Sequence, residues 1–190
     1  CANRFVLAAR CQVLRKMLYG SFREAMSSQI ELPYESHVLK GVVEFCSTNA
    51  IKKFALQLEA TDDSTRNLVR LLEASDYLGL SKLHLLCESL AKTQIVEYPW
   101  LACATWDEAK PASTLSRYAQ NVVEVRPYIA LVRDREDGEA DGLFYGIHSL
   151  GVDRIVGLYR SQKIAASETF LLRLLLVWAR YSETILPADL

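Results

Sequence analysis

Residues 68–90 read LVRLLEASDYLGLSKLHLLCESL, and this stretch predicts two helices joined by a short turn. Gly79 marks the turn, because glycine ends many helices, and Ser81 can cap the helix that follows. The first helix carries a stripe at steps of three and four residues, which indicates its buried face: Leu68, Leu71, Leu72, Ser75 and Leu78. The buried face expected for the second helix carries Leu83, Leu86, Cys87 and Leu90.

Toward the N-terminus, residues 4–20, RFVLAARCQVLRKMLYG, predict one helix that Gly20 ends. Its apolar positions share a single face: Leu7, Cys11, Leu14 and Leu18. A polar turn, GSFREAM, follows over residues 20–26. This turn contains Phe22 and Glu24, although a solvated turn needs neither a large aromatic side chain nor an acid two residues later.

Between this turn and residue 68, the pattern predicts a short strand and a helix. Ile30 and Leu32 alternate with polar residues in QIELP, residues 29–33, as in a strand. Ser36 can cap a helix that includes HVLKGVVEFC, residues 37–46. Residues 52–63 form an expected exposed connection, and Asp62, Asp63 or Ser64 can cap the next helix.

A break in the pattern suggests a second domain. Residues 98–113, YPWLACATWDEAKPAS, contain two prolines and scattered polar residues, and we expect a linker there. A partly helical stretch follows, and the charged loop 133–142 is expected to be solvated or to contact a partner. Three helical pieces then complete the predicted all-helical domain: residues 143–150, 153–160 and 167–181.

Composition excludes several classes of protein. The 190 residues are 51% hydrophobic and 24% charged, which is typical of a globular chain, and the net charge of -1 does not suggest a basic face for nucleic acid or an anionic membrane. The most apolar run, FLLRLLLVW at residues 170–178, contains Arg173 and is shorter than the ~20 residues of a membrane span. We therefore expect a buried helix at these residues. We also expect an intracellular protein, located in the cytoplasm or the nucleus.

The cysteines favour a reduced protein. There are five, an odd number, and they form no CxxC pair. Three of them lie among apolar residues at helical spacing and are interpreted as reduced core thiols: Cys11, Cys46 and Cys87.

Several stretches resemble the BTB (POZ) domain in the family's own order. They are residues 2–33, ANRFVLAARCQVLRKMLYGSFREAMSSQIELP; residues 42–51, VVEFCSTNAI; and residues 68–90. The family's usual His is Asn3 here, and Ser47 and Asn49 replace its Tyr and Gly. Asn49 can still occupy a left-handed helix end. The resemblance implies an α+β fold, partial here because the first strands and leading helix of the family are not matched.

Residues 143–181, LFYGIHSLGVDRIVGLYRSQKIAASETFLLRLLLVWARY, resemble the BACK domain that often follows BTB. Together, the two resemblances imply a mostly helical chain in three parts. These are a partial BTB/POZ domain over 1–97, a linker over 98–113 and an all-α BACK-like domain over 114–190.

The BTB–BACK resemblance implies a non-catalytic adaptor of a cullin-RING ubiquitin ligase. By resemblance, Phe22 and Glu24 contact a cullin of the BTB-specific class, BACK extends that contact, and the leading helix of the family forms a homodimer. An aromatic residue that fills a pocket, with a carboxylate that meets a polar donor, suits such a contact. Alternatively, Phe22 packs on its own core, and the protein is a scaffold for self-association or corepressor recruitment. The protein substrate is not indicated.

No catalytic, cofactor or metal site is predicted. His84 and Cys87 share a helix face, but they lack two further ligands at usable spacing. His37 and His148 are isolated, and the adjacent Asp62 and Asp63 suit a helix start better than acid–base chemistry. An enzyme would need a convergent polar cluster in a pocket. Trp178 is expected in the core, and Trp100 and Trp106 could pack a domain junction or bind a partner's tail.

Overall fold

The computed structural model of the chain describes four ranges of residues: 3–20, 30–56, 60–132 and 146–185. Across these ranges the secondary structure is helical and contains no strand. The chain divides into two compact units, Cys1–Ala91 and Lys92–Leu190.

The described part of the first unit is built from helices, and the last of them continues past the division between the units. They are α1 Arg4–Arg10, α2 Gln12–Tyr19, α3 Ser36–Thr48, α4 Lys52–Leu56, α5 Asp62–Tyr77 and α6 Ser81–Glu97. Helix α3 packs against α5 and against α1. The α3–α5 interface buries Val38 and Val42 from α3 together with Leu68 and Leu71 from α5, as the apolar stripes predict.

The single helix predicted over residues 4–20 is wrong, because the chain breaks at Cys11. Cys11 has extended backbone angles (φ -128°, ψ 115°), so it ends α1 and begins α2. Its sulfur accepts a hydrogen bond from the Leu14 backbone N–H at 3.4 Å and thereby caps α2. The predicted buried face survives the break, since Cys11, Leu14 and Leu18 are all buried.

Two predicted helix caps are corrected by one residue or more. Thr61 caps α5, accepting a hydrogen bond from the Ser64 N–H, where Asp62, Asp63 or Ser64 was expected. Glu35 precedes α3 without a side-chain cap, so Ser36 lies inside the helix. At the other end of α5, Gly79 has φ +66°, a left-handed conformation that glycine adopts without strain, and it forms the predicted turn.

The strand predicted over residues 29–33 is not formed by Ile30–Pro33, which lie in irregular structure. The predicted alternation is present, since Ile30 and Leu32 are half-buried while Glu31 and Pro33 are exposed. A strand also needs a hydrogen-bonded neighbour, and no described segment pairs with this one. The α+β prediction therefore gives way to an all-helical arrangement in the described residues. Part of the exposed connection expected over residues 52–63 is instead the helix α4, which buries Phe54.

The described part of the second unit is also helical. It contains α7 Leu101–Glu108, α8 Thr114–Val125, α9 Pro127–Ala130, a 3-10 helix Gly146–Ser149, α10 Val152–Arg160 and α11 Glu168–Ile185. Helix α7 packs against α8, α9 and the 3-10 helix, and α11 also packs against the 3-10 helix. One core runs through these elements and includes Ile95, Trp106, Val123, Ile147 and Leu158. The predicted loop 133–142 lies outside the described residues.

The linker expected over residues 98–113 contains α7, a buried helix of the second unit. Leu101, Cys103 and Trp106 are buried, so this segment contributes core side chains. Pro99 precedes the helix and Pro111 follows it. These prolines therefore mark the two ends of a helix, where we had expected a domain boundary. The division between the units falls earlier, at Ala91 and Lys92.

The apolar run at residues 170–178 lies in α11, which is buried on one side. Leu174 is buried, and Trp178 packs against the core and donates a hydrogen bond from Nε1 to the Leu150 carbonyl at 2.9 Å. Leu172 and Leu176 are 58% and 55% exposed, so the helix that we expected to be buried is buried on one face only. Within the described ranges, no helix has the length and apolar character required to cross a membrane.

Candidate protein-interaction surface

The predicted contact residues Phe22 and Glu24 lie outside the described residues, so the structure describes the elements on either side of them. On the N-terminal side, α2 ends at Gly20, whose N–H donates to the Lys16 carbonyl at 2.8 Å. A Cβ at Gly20 would lie 2.3 Å from that carbonyl oxygen, so the close approach requires glycine. The helix exit predicted from the sequence is therefore confirmed.

Exposed aromatic and cationic side chains lie beside this helix exit. The rings of Phe5 in α1 and Tyr19 in α2 stack with their centroids 5.9 Å apart. The guanidinium carbon of Arg4 lies 6.0 Å from the centroid of the Tyr19 ring, in the range of a cation–π contact. Phe5 is 76% exposed and Tyr19 is 51% exposed, so the pair presents its apolar area to solvent.

On the C-terminal side, Tyr34 packs on the last turn of α5. Its ring contacts that of Tyr77 edge-on, with centroids 6.0 Å apart. Burial raises the pKa of Tyr34, and the nearby charges of Glu73, Tyr77 and Asp76 raise it further. The structure thus gives this side an aromatic and acidic character.

Glu35 connects the start of α3 to α5. One of its carboxylate oxygens pairs with Arg70 Nη1 at 2.6 Å, and the other lies 3.3 Å from His37 Nδ1. His37 Nε2 is within hydrogen-bond distance of Asn67 Oδ1 at 2.7 Å. The His37 side chain is therefore part of a hydrogen-bonded connection between α3 and α5.

The end of α3 carries two of the three residues that depart from the BTB pattern, Ser47 and Asn49. Asn49 adopts left-handed angles (φ 58°, ψ 26°), which confirms that it can end this helix in place of glycine. Ser47 is exposed, and its hydroxyl donates to the Val43 carbonyl at 2.8 Å. A hydroxyl bonded to its own helix offers a partner much less contact area than a tyrosine ring at that position.

The residues considered for metal binding or catalysis do not converge. Cys87 is fully buried, and burial raises the pKa of its thiol to about 12. Cys11, Cys46 and Cys87 are buried and form no disulfide, as expected of reduced core thiols. In the described ranges, no group of three or more His, Cys, Asp or Glu side chains is placed to hold a metal ion. His148 stacks on Tyr181 with ring centroids 4.0 Å apart, far along the chain from the other histidines.

The three tryptophans have structural positions in the second unit. Trp106 is 3% exposed, with the Arg154 guanidinium 5.5 Å from its ring centroid. Trp100 is half-buried and packs beside Tyr98, with centroids 5.2 Å apart. Trp178 bonds to the Leu150 carbonyl. Of the two interpretations offered for Trp106, the buried environment favours packing over capture of a partner's tail.

Sequence reasoning missed the exposed group formed by Arg4, Phe5 and Tyr19. The signal was present, because Phe5 and Tyr19 fall outside the stripe of Leu7, Leu14 and Leu18. An aromatic residue off the buried stripe of an amphipathic helix is expected to be exposed. What the pattern did not provide is the break at Cys11, which brings the two rings together.

These features describe a helical unit with aromatic residues at its surface, and comparison with known proteins shows the family to which it belongs. The BTB/POZ domain family matches residues 1–95, so the chain belongs to the BTB/POZ family. BTB/POZ domains are protein-interaction modules. The chain is also similar to "BTB/POZ and MATH domain-containing protein 6" of Arabidopsis thaliana, with 33% identity over 97 residues, which are 46% of this chain and 23% of that protein. The chain thus spans less than a quarter of the length of this relative.

Proposed function

We propose that this chain is a non-catalytic adaptor that recruits substrates to a cullin-RING ubiquitin ligase. Its BTB/POZ domain would bind a cullin of the BTB-specific class, and a BACK-like domain over residues 114–190 would extend the contact. The observation that carries the proposal is the BTB/POZ match over residues 1–95, which includes the segment with Phe22 and Glu24. The described part of the second unit is helical, which is compatible with a BACK-like domain.

Phe22 and Glu24 are the proposed cullin contacts. Helix α2 ends at Gly20 just before them, and Tyr34 packs on α5 just after the segment. Tyr19 and Gly20 before the segment and Glu31 after it are exposed, which supports a partner contact in this region. A buried aromatic residue in a partner pocket commonly contributes a large share of binding energy, and an adjacent carboxylate fixes the orientation.

Self-association is the second part of the proposal. We propose a homodimer through the leading helix that the BTB/POZ family carries before the segment matched here. The alternative function, a scaffold for self-association or corepressor recruitment, uses the same domain without a cullin. The two are distinguished by direct measurement of cullin binding.

The test uses protein that includes the family's leading elements and the N-terminal domain of the cullin, with affinity measured by calorimetry. Phe22→Ala should weaken binding about 30-fold or more, as expected for a hot-spot residue. Glu24→Lys should weaken it as well, and Glu31→Lys, a charge reversal at a nearby exposed position, should not. No measurable affinity of the unmodified protein would overturn the adaptor proposal. A large fall in melting temperature for Phe22→Ala would instead place that side chain in the core.

A further inference from the structure

We propose that the outward face of α1 and α2 is a second binding surface, which takes a short acidic protein segment with an aromatic or aliphatic side chain. We call this face the α1–α2 surface, and define it by five exposed residues: Arg4, Phe5, Arg15, Lys16 and Tyr19. The inference does not use Phe22 or Glu24, so it stands or falls independently of the proposed cullin contact.

The α1–α2 surface has a local excess of positive charge. The described residues 3–20 contain four cationic side chains, Arg4, Arg10, Arg15 and Lys16, and no aspartate or glutamate. All four are exposed, and none of them forms an ion pair with another described residue. The whole chain has a net charge of -1, so this local excess is compensated elsewhere in the molecule. Such a positive region complements an acidic segment and would increase the rate at which it associates.

The cationic side chains and the aromatic rings lie on the same face of α1 and α2. On α2, Arg15 and Lys16 precede Tyr19 by four and three residues, which places all three side chains on neighbouring positions of the helix surface. From α1, Phe5 stacks on Tyr19, and Arg4 lies against the same ring. The opposite faces are occupied, since Ala8, Cys11, Leu14 and Leu18 are buried.

The exposed rings define the second feature of the ligand. Single exposed apolar residues are common on protein surfaces, but here two stacked rings form a joint apolar area bordered by cations. A segment with acidic residues alone would leave this area in contact with water. An aromatic or aliphatic side chain between the acids would cover Phe5 while the carboxylates meet Arg4, Arg15 and Lys16.

The same features favour a protein segment over a nucleic acid. Phe5 and Tyr19 stack on each other, so the facing sides of the two rings are covered and only their outer sides could meet a base. The arginines and the lysine lie on two short helices, α1 with 7 residues and α2 with 8. A surface of this length is too short to follow a nucleic-acid backbone over many nucleotides. A short peptide with alternating acidic and apolar residues fits this extent better.

The test uses the full chain and a fluorescein-labelled peptide EDELFDEE, with QNQLFNQQ as the uncharged control, and measures binding by fluorescence anisotropy. The acidic peptide should bind more tightly than the control, and the difference should shrink as salt is added. Arg4→Glu, Lys16→Glu and Phe5→Ser should each weaken binding about 10-fold or more. Arg117→Glu and Val152→Ser, exposed positions in the second unit, should leave it unchanged.

Equal affinity for both peptides, or unchanged binding by Phe5→Ser, would overturn the proposal. Tighter binding of a single-stranded oligonucleotide, lost in the same variants, would also overturn it and assign the surface to nucleic acid. Should a variant fail to fold, amide chemical shifts of the unmodified protein provide the answer. Peptide-induced shifts centred on α1 and α2 support the proposal, and shifts elsewhere contradict it.

Discussion

The thiol of Cys11 donates a hydrogen bond to the carbonyl of Leu78, 3.3 Å away and 67 positions later in the sequence. The bond joins the break between α1 and α2 to the end of α5. The same sulfur accepts the hydrogen bond of the Leu14 N–H. One buried side chain therefore satisfies two backbone groups that helix ends would otherwise leave unpaired.

Two substitutions of Cys11 should distinguish the stability that these hydrogen bonds contribute from the stability that the packed side chain contributes. Cys11→Ser keeps a donor and an acceptor of similar size, and we expect a free energy of unfolding within about 1 kcal/mol of the original. Cys11→Val fills the space but loses both hydrogen bonds, and we expect a loss of about 1–3 kcal/mol. Urea denaturation followed by circular dichroism measures both. Equal stability of the two variants would show that only volume matters at this position.

Much of the fold could be predicted from residue spacing. The buried faces of α3 and α5 could be predicted, because apolar residues at helical spacing indicate which side of a helix packs against the core. These residues are Val38 and Val42 in α3 and Leu68 and Leu71 in α5. The break at Cys11 could not be predicted, since the hydrogen bond to Leu78 depends on a contact distant in sequence. Local propensity does not encode such contacts, and helix boundaries are correspondingly harder to predict than helix faces.

Helix exposure was harder to predict for elements that are apolar on more than one side. Leu86 was expected in the buried face of α6 and is 43% exposed. Leu172 and Leu176 in α11 are exposed in the same way. A run of leucines predicts a helix, but it does not indicate which sides of that helix other elements of the protein cover. For the candidate site, the sequence pointed to Phe22 and Glu24 only through resemblance, because no periodicity marks an aromatic residue in a turn as a partner contact.

Two glycines at open positions should respond to alanine with opposite signs. Gly79 has φ +66°, and a Cβ added there would have no atom within 4 Å, so Gly79→Ala adds strain and no contact. We expect a loss of about 1 kcal/mol. Gly157 has equally open surroundings but lies within α10, so Gly157→Ala should add up to about 1 kcal/mol through helix propensity. Thermal unfolding measures each, and a loss of stability for Gly157→Ala would contradict the helical assignment at that residue.

Glu124 is a buried carboxylate that connects α8 to the segment after α10. Its Oε1 accepts hydrogen bonds from Gln120 Nε2 at 3.0 Å and from the Ser161 hydroxyl at 2.8 Å. Its backbone carbonyl accepts from the Ala165 N–H at 2.8 Å. Glu124→Ala should therefore lower the free energy of unfolding by about 1–3 kcal/mol, because two partly buried donors lose their acceptor.

A double-mutant cycle with Glu124→Ala and Ser161→Ala tests the same connection, with Glu124→Gln as the conservative comparison. The glutamine keeps an acceptor for Ser161, so Glu124→Gln should cost less than Glu124→Ala, and the cycle should show a coupling energy of about 0.5 kcal/mol or more. The tryptophans Trp100, Trp106 and Trp178 all lie in the second unit, so their fluorescence reports its unfolding. Additive effects of the two substitutions would show that the hydrogen bond contributes no stability.

Buried thiols should make the first unit less stable at alkaline pH. Burial raises the pKa of Cys46 to about 11, with a further increase from Cys11 and a decrease from Arg10, and burial raises the pKa of Cys87 to about 12. The folded state therefore holds these protons more tightly than the unfolded state does. Their contribution to stability is complete below the unfolded thiol pKa of about 8.5 and is lost as pH rises from there through 11 and 12.

The measurement is the slope of the free energy of unfolding against pH between about 8 and 10, where each thiol should remove roughly 1–2 kcal/mol. Tyr34 and Tyr159, whose pKa values are also raised, contribute to this slope, so the comparison is between the unmodified protein and Cys46→Ala or Cys87→Ala. Each cysteine variant should start from a lower stability, because of the cavity, but should decline less steeply. Identical slopes would mean that the thiols ionise as easily in the folded protein as in the unfolded chain. In that case both cysteines should also react readily with Ellman's reagent at pH 8 without urea, whereas a buried, protonated thiol should react only after unfolding.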